Sequence, residues 1–115
     1  MPSTALAPDA APLDLDHLAR MTGGEKALER EVLALFLTQT SGLIDALADK
    51  SAEVAALSHT LKGSARAIGA FRVADLAAAL EDVARRGSDP SRPLAALCAA
   101  VAEARGVIEA RLGRL

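Results

Sequence analysis

The stretch that decides the fold is LSHTLKGSARAIGA, which runs from Leu57 to Ala70. At 100° per residue, its apolar and small side chains gather on one side of a helix. These inward-facing residues are Leu57, Leu61, Ser64, Ala65 and Ile68. The opposite side carries His59, Lys62, Gly63, Arg66 and Ala70. We therefore expect an amphipathic helix whose histidine faces water or a partner.

His59 is a helical neighbour of Lys62 and Gly63, because residues three and four apart lie side by side on a helix. An exposed neutral imidazole is a nucleophile at physiological pH, and a lysine ammonium can neutralise a phosphoryl group. Glycine costs a helix about 0.5–1 kcal/mol relative to alanine, so a central glycine suggests close approach by another surface. The alternative is a solvated polar face on which the histidine and the glycine have no function.

Length and composition predict one all-α domain. The chain has 115 residues, enough for a hydrophobic core without disulfides or metal. Hydrophobic residues make up 51% and aromatic residues only 2%, so the core must be aliphatic. Alanine and leucine, which dominate it, are strong helix formers.

Charge and cysteine content exclude several classes of function. The formal net charge is −2, with 13 basic and 15 acidic residues, so no nucleic-acid footprint is expected. The single cysteine, Cys98, cannot form an intrachain disulfide, and no metal-ligand cluster surrounds it in the sequence. No apolar run reaches the roughly 18 residues that a bilayer span needs, and Met1–Thr4 does not resemble a signal peptide. We expect a cytoplasmic protein that does not enter a membrane.

Turn residues divide the chain into a tail and five helices. Proline-rich residues 1–12 are expected to form a flexible tail, and 13–115 to form the domain. The predicted helices are 15–21, 24–48, 52–69, 71–86 and 93–112. Asp14 is the predicted N-cap of the first helix, and Thr22 with Glu25 has capping-box spacing before the second. One short and four longer helices with short connections predict an antiparallel up-down four-helix bundle with an additional short N-terminal helix.

Several side chains are assigned to the surface, the core or a cap by periodicity. The buried stripe of the second helix is predicted as Leu28, Val32, Leu35, Phe36, Leu43, Ala46 and Leu47. Asp49 or Ser51 could cap the third helix. His17 is interpreted as a solvated surface histidine, and Cys98 as a small buried hydrophobe.

The central helix carries a recognisable motif. His59 to Ala65 reads H-T-L-K-G-S-A, and Gly69-Ala70 follows. In this pattern the chain resembles the histidine-containing phosphotransfer (HPt) domain family. The resemblance extends more weakly from about Leu13 to Arg86, and includes Leu80-Glu81. It implies a helical bundle that carries phosphate on His59, with Lys62 stabilising the phosphoryl oxygens.

The same resemblance implies roles for further residues. Many family members place an acidic or amide residue near Glu81, where it accepts a hydrogen bond from the phosphorylatable histidine, fixes its tautomer and leaves the other ring nitrogen free to attack. The alternative is that Glu81 only pairs with Arg85, four residues on, which supports the helix by ~0.2–0.5 kcal/mol. The docking surface implied for a partner comprises Gly63, Arg66, Gly69 and Ala70. Arg66 replaces the small or amide residue that is common there in relatives.

The function implied is that of a phosphorelay intermediate. His59 would accept a phosphoryl group from a receiver-domain aspartate and pass it to another receiver. The implied partners are response-regulator receivers and a hybrid histidine kinase, and the protein is expected to be a monomer. Magnesium should come from the receiver, because this chain has no carboxylate cluster to hold a metal, and no cofactor of its own is expected. Without a nucleotide-binding loop, it should be a carrier and not an enzyme.

Two other functions stay open. The first is a non-catalytic helical adaptor that binds a signalling partner through the same face, with His59 unmodified. The second is a phosphatase or dimerising kinase-core fragment, which predicts a homodimer and an acidic residue after the histidine. The residue in that position is Thr60, which disfavours the second alternative.

Overall fold

The computed structural model describes residues 11–49 and 53–114. In these ranges the chain forms five α-helices and no strand, which confirms the all-α prediction. The helices are α1 (Leu15–Thr22), α2 (Lys26–Ala48), α3 (Val54–Ile68), α4 (Phe71–Arg85) and α5 (Ser91–Leu112). Residues 1–10 of the expected tail and the candidate cap Ser51 lie outside the described residues.

Four of the helices close into a ring. Each of α2, α3 and α4 packs on the next helix along the chain, and α5 packs back on α2. Helix α1 lies against α2 and α3, whereas α3 and α5 make no contact in the described part of the chain and so occupy diagonal positions. The antiparallel order of the helices stays a prediction, which the short connections favour.

The core is almost entirely aliphatic, as the composition predicts. Its buried members come from all five helices and from the residues that join them. They are Leu13, Leu18, Leu33, Phe36, Leu47, Leu61, Ala65, Ile68, Ala70, Val73, Ala74, Ala77, Leu80, Leu97, Ala100, Val101, Ala104 and Ile108. Small residues are buried on both α3 and α4, among them Ala65, Ala74 and Ala77, so these two helices can approach closely. This close approach brings the polar side chains on their outer edges within reach of one another.

The predicted N-cap of α1 is present in the structure, whereas the capping box predicted for α2 is not. The carboxylate of Asp14 accepts a hydrogen bond from the backbone N–H of His17 at 3.0 Å, which confirms the N-cap of α1. The predicted capping box is wrong. Thr22 is the last residue of α1, and its hydroxyl donates to the carbonyl of Leu18 at 2.9 Å. Glu25 itself is the N-cap residue of α2.

The predicted buried stripe of α2 is wrong at two positions. Leu35 is 65% exposed and Leu28 is 37% exposed, whereas Leu33 is fully buried. Apolar side chains occupy every position from 32 to 37, so their periodicity alone does not fix which side turns inward. The neighbouring helices decide it, since α2 packs on α1, α3 and α5. Cys98 on α5 is partly buried, less than predicted.

Helix α2 is also the one described helix that is long and apolar enough to cross a membrane. This is weak support for a membrane span, because a core helix of a soluble protein meets the same criteria. Here α2 contributes Leu33, Phe36 and Leu47 to the bundle core. Packing within the bundle accounts for these three side chains, whereas only 22% of the apolar window is buried and Leu35 is exposed.

Candidate functional site

His59 lies on the outer wall of α3, on the side next to α4. Nearby residues of α3 fix this placement, since Ser58, which precedes His59, is buried and Leu61, two residues after it, is completely buried in the core. The imidazole is 62% exposed. Its Nδ1 atom lies 3.0 Å from Oε2 of Glu81 on α4. One ring nitrogen is therefore held by the protein while most of the ring faces solvent.

The carboxylate of Glu81 is the centre of the site. Glu81 is buried, and its oxygens accept hydrogen bonds from three side chains. Lys62 donates to Oε1 at 2.9 Å. Arg85 donates to Oε2 through Nε at 3.0 Å and through Nη2 at 2.8 Å. His59 shares that same Oε2 atom, so a phosphoacceptor candidate, an ammonium and a guanidinium meet at one carboxylate.

The electrostatics of this cluster fix the proton on His59. The hydrogen bond from Lys62, then that from Arg85 and to a lesser degree that from His59, lower the pKa of Glu81 to about 2, against the opposing effect of burial. Glu81 is therefore ionised at neutral pH, and an ionised carboxylate can only accept hydrogen bonds. A neutral His59 ring must then carry its proton on Nδ1, which leaves the lone pair on Nε2.

A strip of open surface runs along α3 from the histidine. Gly63 and Ala67 follow His59 at four-residue intervals and lie on the same row of the helix. Nothing lies within 4 Å of the position that a Cβ atom on Gly63 would take. On the α2 side the strip borders a groove lined by Met21, Val32, Leu35, Phe36, Gln39, Ser64, Ala67 and Ile68. The strip therefore has an apolar border on the α2 side and a charged border on the α4 side.

This arrangement coincides with a match to a family model. The model of the Hpt domain matches residues 31–112, which include all of α3, α4 and α5 and most of α2. The chain belongs to the Hpt domain family. Hpt domains act in phosphotransfer within two-component phosphorelays, as phosphocarriers and not as kinases, and they interact with response-regulator receivers and kinases. No curated protein and no solved structure matches the chain significantly.

Two residues assigned to the docking surface of this Hpt domain are not on its surface. Ala70 is completely buried, and Gly69 is buried beneath the start of α1. Gly69 ends α3 in the left-handed conformation with φ 88°, and its carbonyl accepts the backbone N–H of Asp14 at 2.9 Å. The prediction that Gly69 and Ala70 contact a partner is therefore wrong, because they form the turn between α3 and α4. Arg66 is exposed, one turn beyond Lys62.

His17 also differs from its prediction as a solvated histidine. It is partly buried, and its ring Nε2 lies 3.0 Å from the carbonyl oxygen of Ala67, near the end of α3. The ring meets the edge of Phe71 in a T-shaped contact, with 5.0 Å between centroids. His17 thus attaches α1 to the turn that ends the helix carrying His59.

The described residues contain no cluster of metal ligands. Within 11–49 and 53–114, no group of three or more His, Cys, Asp or Glu side chains could hold a metal ion.

Arg85 is a site residue that the sequence analysis did not identify. It was assigned only to a helix pair with Glu81. That pair exists, but the sequence did not show that the shared carboxylate also faces His59.

Proposed function

We propose that this Hpt domain is a phosphorelay intermediate that accepts a phosphoryl group on Nε2 of His59. The donor is the aspartyl phosphate of a receiver domain, and a second receiver takes the group onward. The observation that carries the proposal is the hydrogen bond between Nδ1 of exposed His59 and ionised Glu81. This bond supports Nε2 as the nucleophile, because it occupies the other ring nitrogen.

The transfer is a displacement at phosphorus. The Nε2 lone pair forms the N–P bond while the bond between phosphorus and the acyl oxygen breaks, and that electron pair remains on the receiver aspartate as a carboxylate. The ring keeps its Nδ1 proton and gains positive charge, which faces the Glu81 carboxylate. Lys62, within reach of the same ring, provides an ammonium for the phosphoryl oxygens. Attack by a second receiver aspartate reverses these changes.

The receiver is proposed to bring the divalent cation. Phosphoryl transfer needs positive charge on the equatorial oxygens, and magnesium is held mainly by carboxylates and phosphate oxygens. Glu81 is already committed to three side-chain donors. The described part of the Hpt domain therefore contributes an ammonium and a positioned imidazole, and no metal of its own.

The proposed docking face is the strip that contains His59 and Gly63. Gly63 leaves room for a partner backbone, and Arg66 offers positive charge to an acidic receiver rim. Leu35 and Met21 are exposed apolar side chains at the groove beside the strip. A receiver that presents an apolar surface next to its aspartyl phosphate would cover both. We propose that the domain works as a cytoplasmic monomer and serves a hybrid histidine kinase.

The test is incubation with phosphorylated receivers, followed by chemical characterisation of the label. We expect wild-type protein to acquire a label that is acid-labile and alkali-stable, as phosphohistidine is. His59→Gln should acquire none while its helicity by circular dichroism is unchanged. His17→Gln, which removes the other histidine, should still be labelled. Labelling of His59→Gln by the same receiver would show that another residue accepts the phosphoryl group.

A further inference from the structure

Arg85 contacts the same carboxylate oxygen as the histidine. Two of its nitrogens donate to Oε2 of Glu81, at 3.0 and 2.8 Å, and Nδ1 of His59 lies 3.0 Å from that oxygen. The other oxygen, Oε1, accepts from Lys62. Both guanidinium donors converge on Oε2, and the fixed geometry of the planar group constrains that oxygen more strongly than a single freely rotating ammonium would. Arg85 therefore sets the direction in which Oε2 points.

Without Arg85, Lys62 would be shared between two anionic groups. After transfer its ammonium would be needed by the phosphoryl oxygens, and Glu81 would keep only the positive charge of the phosphorylated ring beside it. A buried carboxylate that loses its ionic partner is costly. Arg85 keeps Glu81 neutralised while Lys62 turns toward the phosphoryl oxygens. Lys62 and Arg85 therefore contact the same carboxylate for different purposes: Lys62 serves the phosphoryl group and Arg85 serves Glu81.

We infer that Arg85 is a positioning residue of the phosphotransfer site. It holds Oε2 of Glu81 opposite Nδ1 of His59, and so selects the ring tautomer with its lone pair on Nε2. It also releases Lys62 for the phosphoryl group. This inference rests on the proposed function, because it assigns a role within the same transfer.

The neighbouring arginine provides a matched control. Arg86 follows Arg85 at the end of α4, is 62% exposed against 61% for Arg85, and also pairs with an acidic residue four positions earlier. That partner is Asp82, which is 65% exposed, whereas Glu81, the partner of Arg85, is buried. Arg85→Gln and Arg86→Gln remove the same charge from the same helix end. A difference between them therefore reports the contact with Glu81.

Two measurements on these variants test the inference. The first is the ¹⁵N spectrum of the His59 ring, assigned against His59→Gln. We expect a protonated Nδ1 in wild type and in Arg86→Gln, and a shift of Nε2 toward the protonated position in Arg85→Gln. The second is the initial rate of transfer from a phosphorylated receiver, which should fall on the order of tenfold in Arg85→Gln only. Arg85→Lys, which keeps the charge, should restore part of both.

Each outcome decides one of the two proposals. If the His59 tautomer of Arg85→Gln matches that of Arg86→Gln, the positioning role is wrong, whatever the rates are. A changed tautomer with an unchanged transfer rate also contradicts the inference, because the selected tautomer would then not serve transfer. If wild-type protein takes no label, the proposed function fails, but the ring spectra still decide whether Arg85 positions Glu81.

Discussion

At the scale of single residues, the site depends on one buried carboxylate. Burying a charged group is unfavourable unless it is paired and hydrogen-bonded. Glu81 meets this condition through Lys62, Arg85 and His59. The same contacts that allow the carboxylate to be buried also orient the imidazole, so the stability of the fold and the orientation of His59 depend on one set of hydrogen bonds.

The pH dependence of stability should reveal this carboxylate. The pKa of Glu81 falls from 4.5 to about 2, chiefly through the hydrogen bonds from Lys62 and Arg85. A pKa lowered by folding means that the ionised group stabilises the native state above 4.5, and that this stabilisation is lost as the pH falls toward 2. We expect wild type to be more stable than Glu81→Gln above pH 4.5, and the difference to shrink within that window.

Thermal unfolding followed by circular dichroism across this pH range measures the difference. Asp82→Gln is the control, since Asp82 is exposed and lies next to Glu81 on α4. A constant difference between wild type and Glu81→Gln throughout the window would contradict the lowered pKa.

The sequence identified part of the site at this scale. The helical period alone placed His59, Lys62 and Gly63 on one outward face, because all three lie on the same helix. The position of Glu81 beside the histidine was suggested by the resemblance, because it depends on how α3 packs on α4. Arg85 was missed as a site residue because its spacing from Glu81 already had a local explanation within α4. Spacing shows that two residues can pair, but not what else their partner touches.

At the scale of one element, the outer face of α3 should control receiver docking. Gly63→Gln adds a side chain where nothing lies within 4 Å, so the fold should be retained. The added side chain would occupy the open strip next to His59, and we expect phosphotransfer from the receiver to be strongly reduced. The measurement is the transfer rate, together with the circular dichroism spectrum.

Gly106→Gln is the matched control for this change. Gly106 lies within α5, diagonal to α3, is exposed, and also has nothing within 4 Å of an added Cβ. It should transfer at the wild-type rate. Equal rates for both variants would show that the receiver does not approach Gly63.

Gly69, in the turn between α3 and α4, should tolerate substitution far less than a glycine inside a helix does. At Gly69, with φ 88°, an added Cβ would lie 2.9 Å from the carbonyl oxygen of Asp14. We expect Gly69→Ala to lose at least about 1–2 kcal/mol, since alanine disfavours left-handed backbone. Gly42→Ala should instead gain about 0.5–1 kcal/mol, because alanine is the better helix former. Urea unfolding measures both, and a neutral Gly69→Ala would contradict the strained turn.

Element boundaries were predicted best where glycine marks them. Gly69 and Gly87 both have positive φ, and the ends of α3 and α4 agree with the sequence to within a residue. The inner face of α2 was predicted less well, because Leu33 and Leu35 are equally apolar. Which one is buried depends on how α2 packs on α1, α3 and α5, and the sequence of a single helix carries no information about that packing.

At the scale of the whole molecule, one ion pair joins the beginning of α2 to the end of α5. Glu29 is buried, and both of its oxygens accept hydrogen bonds from the guanidinium of Arg111. Glu29 also raises the pKa of Arg111. The two residues are 82 positions apart, so the contact closes the ring of helices between the second and the last.

Removing the arginine should therefore destabilise the whole bundle. Arg111→Gln leaves the buried carboxylate of Glu29 without its ionic partner, and we expect a loss of about 1–3 kcal/mol in unfolding free energy. Arg114→Gln, at an exposed position after α5, should change it by less than about 0.5 kcal/mol. Urea unfolding would contradict this role if the two variants were equally stable.

The global fold was predictable only in outline. Aliphatic composition, alanine content and turn residues were sufficient for five helices in an all-α domain. The pairing of Glu29 with Arg111, and the contact of His17 with the end of α3, were not. Each joins residues that are far apart in the chain, and each places a polar group where local periodicity alone cannot assign its partner.

The diagonal placement of α3 and α5 has a practical consequence. Cys98, the chain's only thiol, lies on α5 beside α2, across the bundle from the imidazole. A maleimide-linked dye at this partly buried thiol would lie on the side of the bundle away from His59 and would need no added cysteine. Receivers could then be titrated against the His59 face while the label reports on the domain.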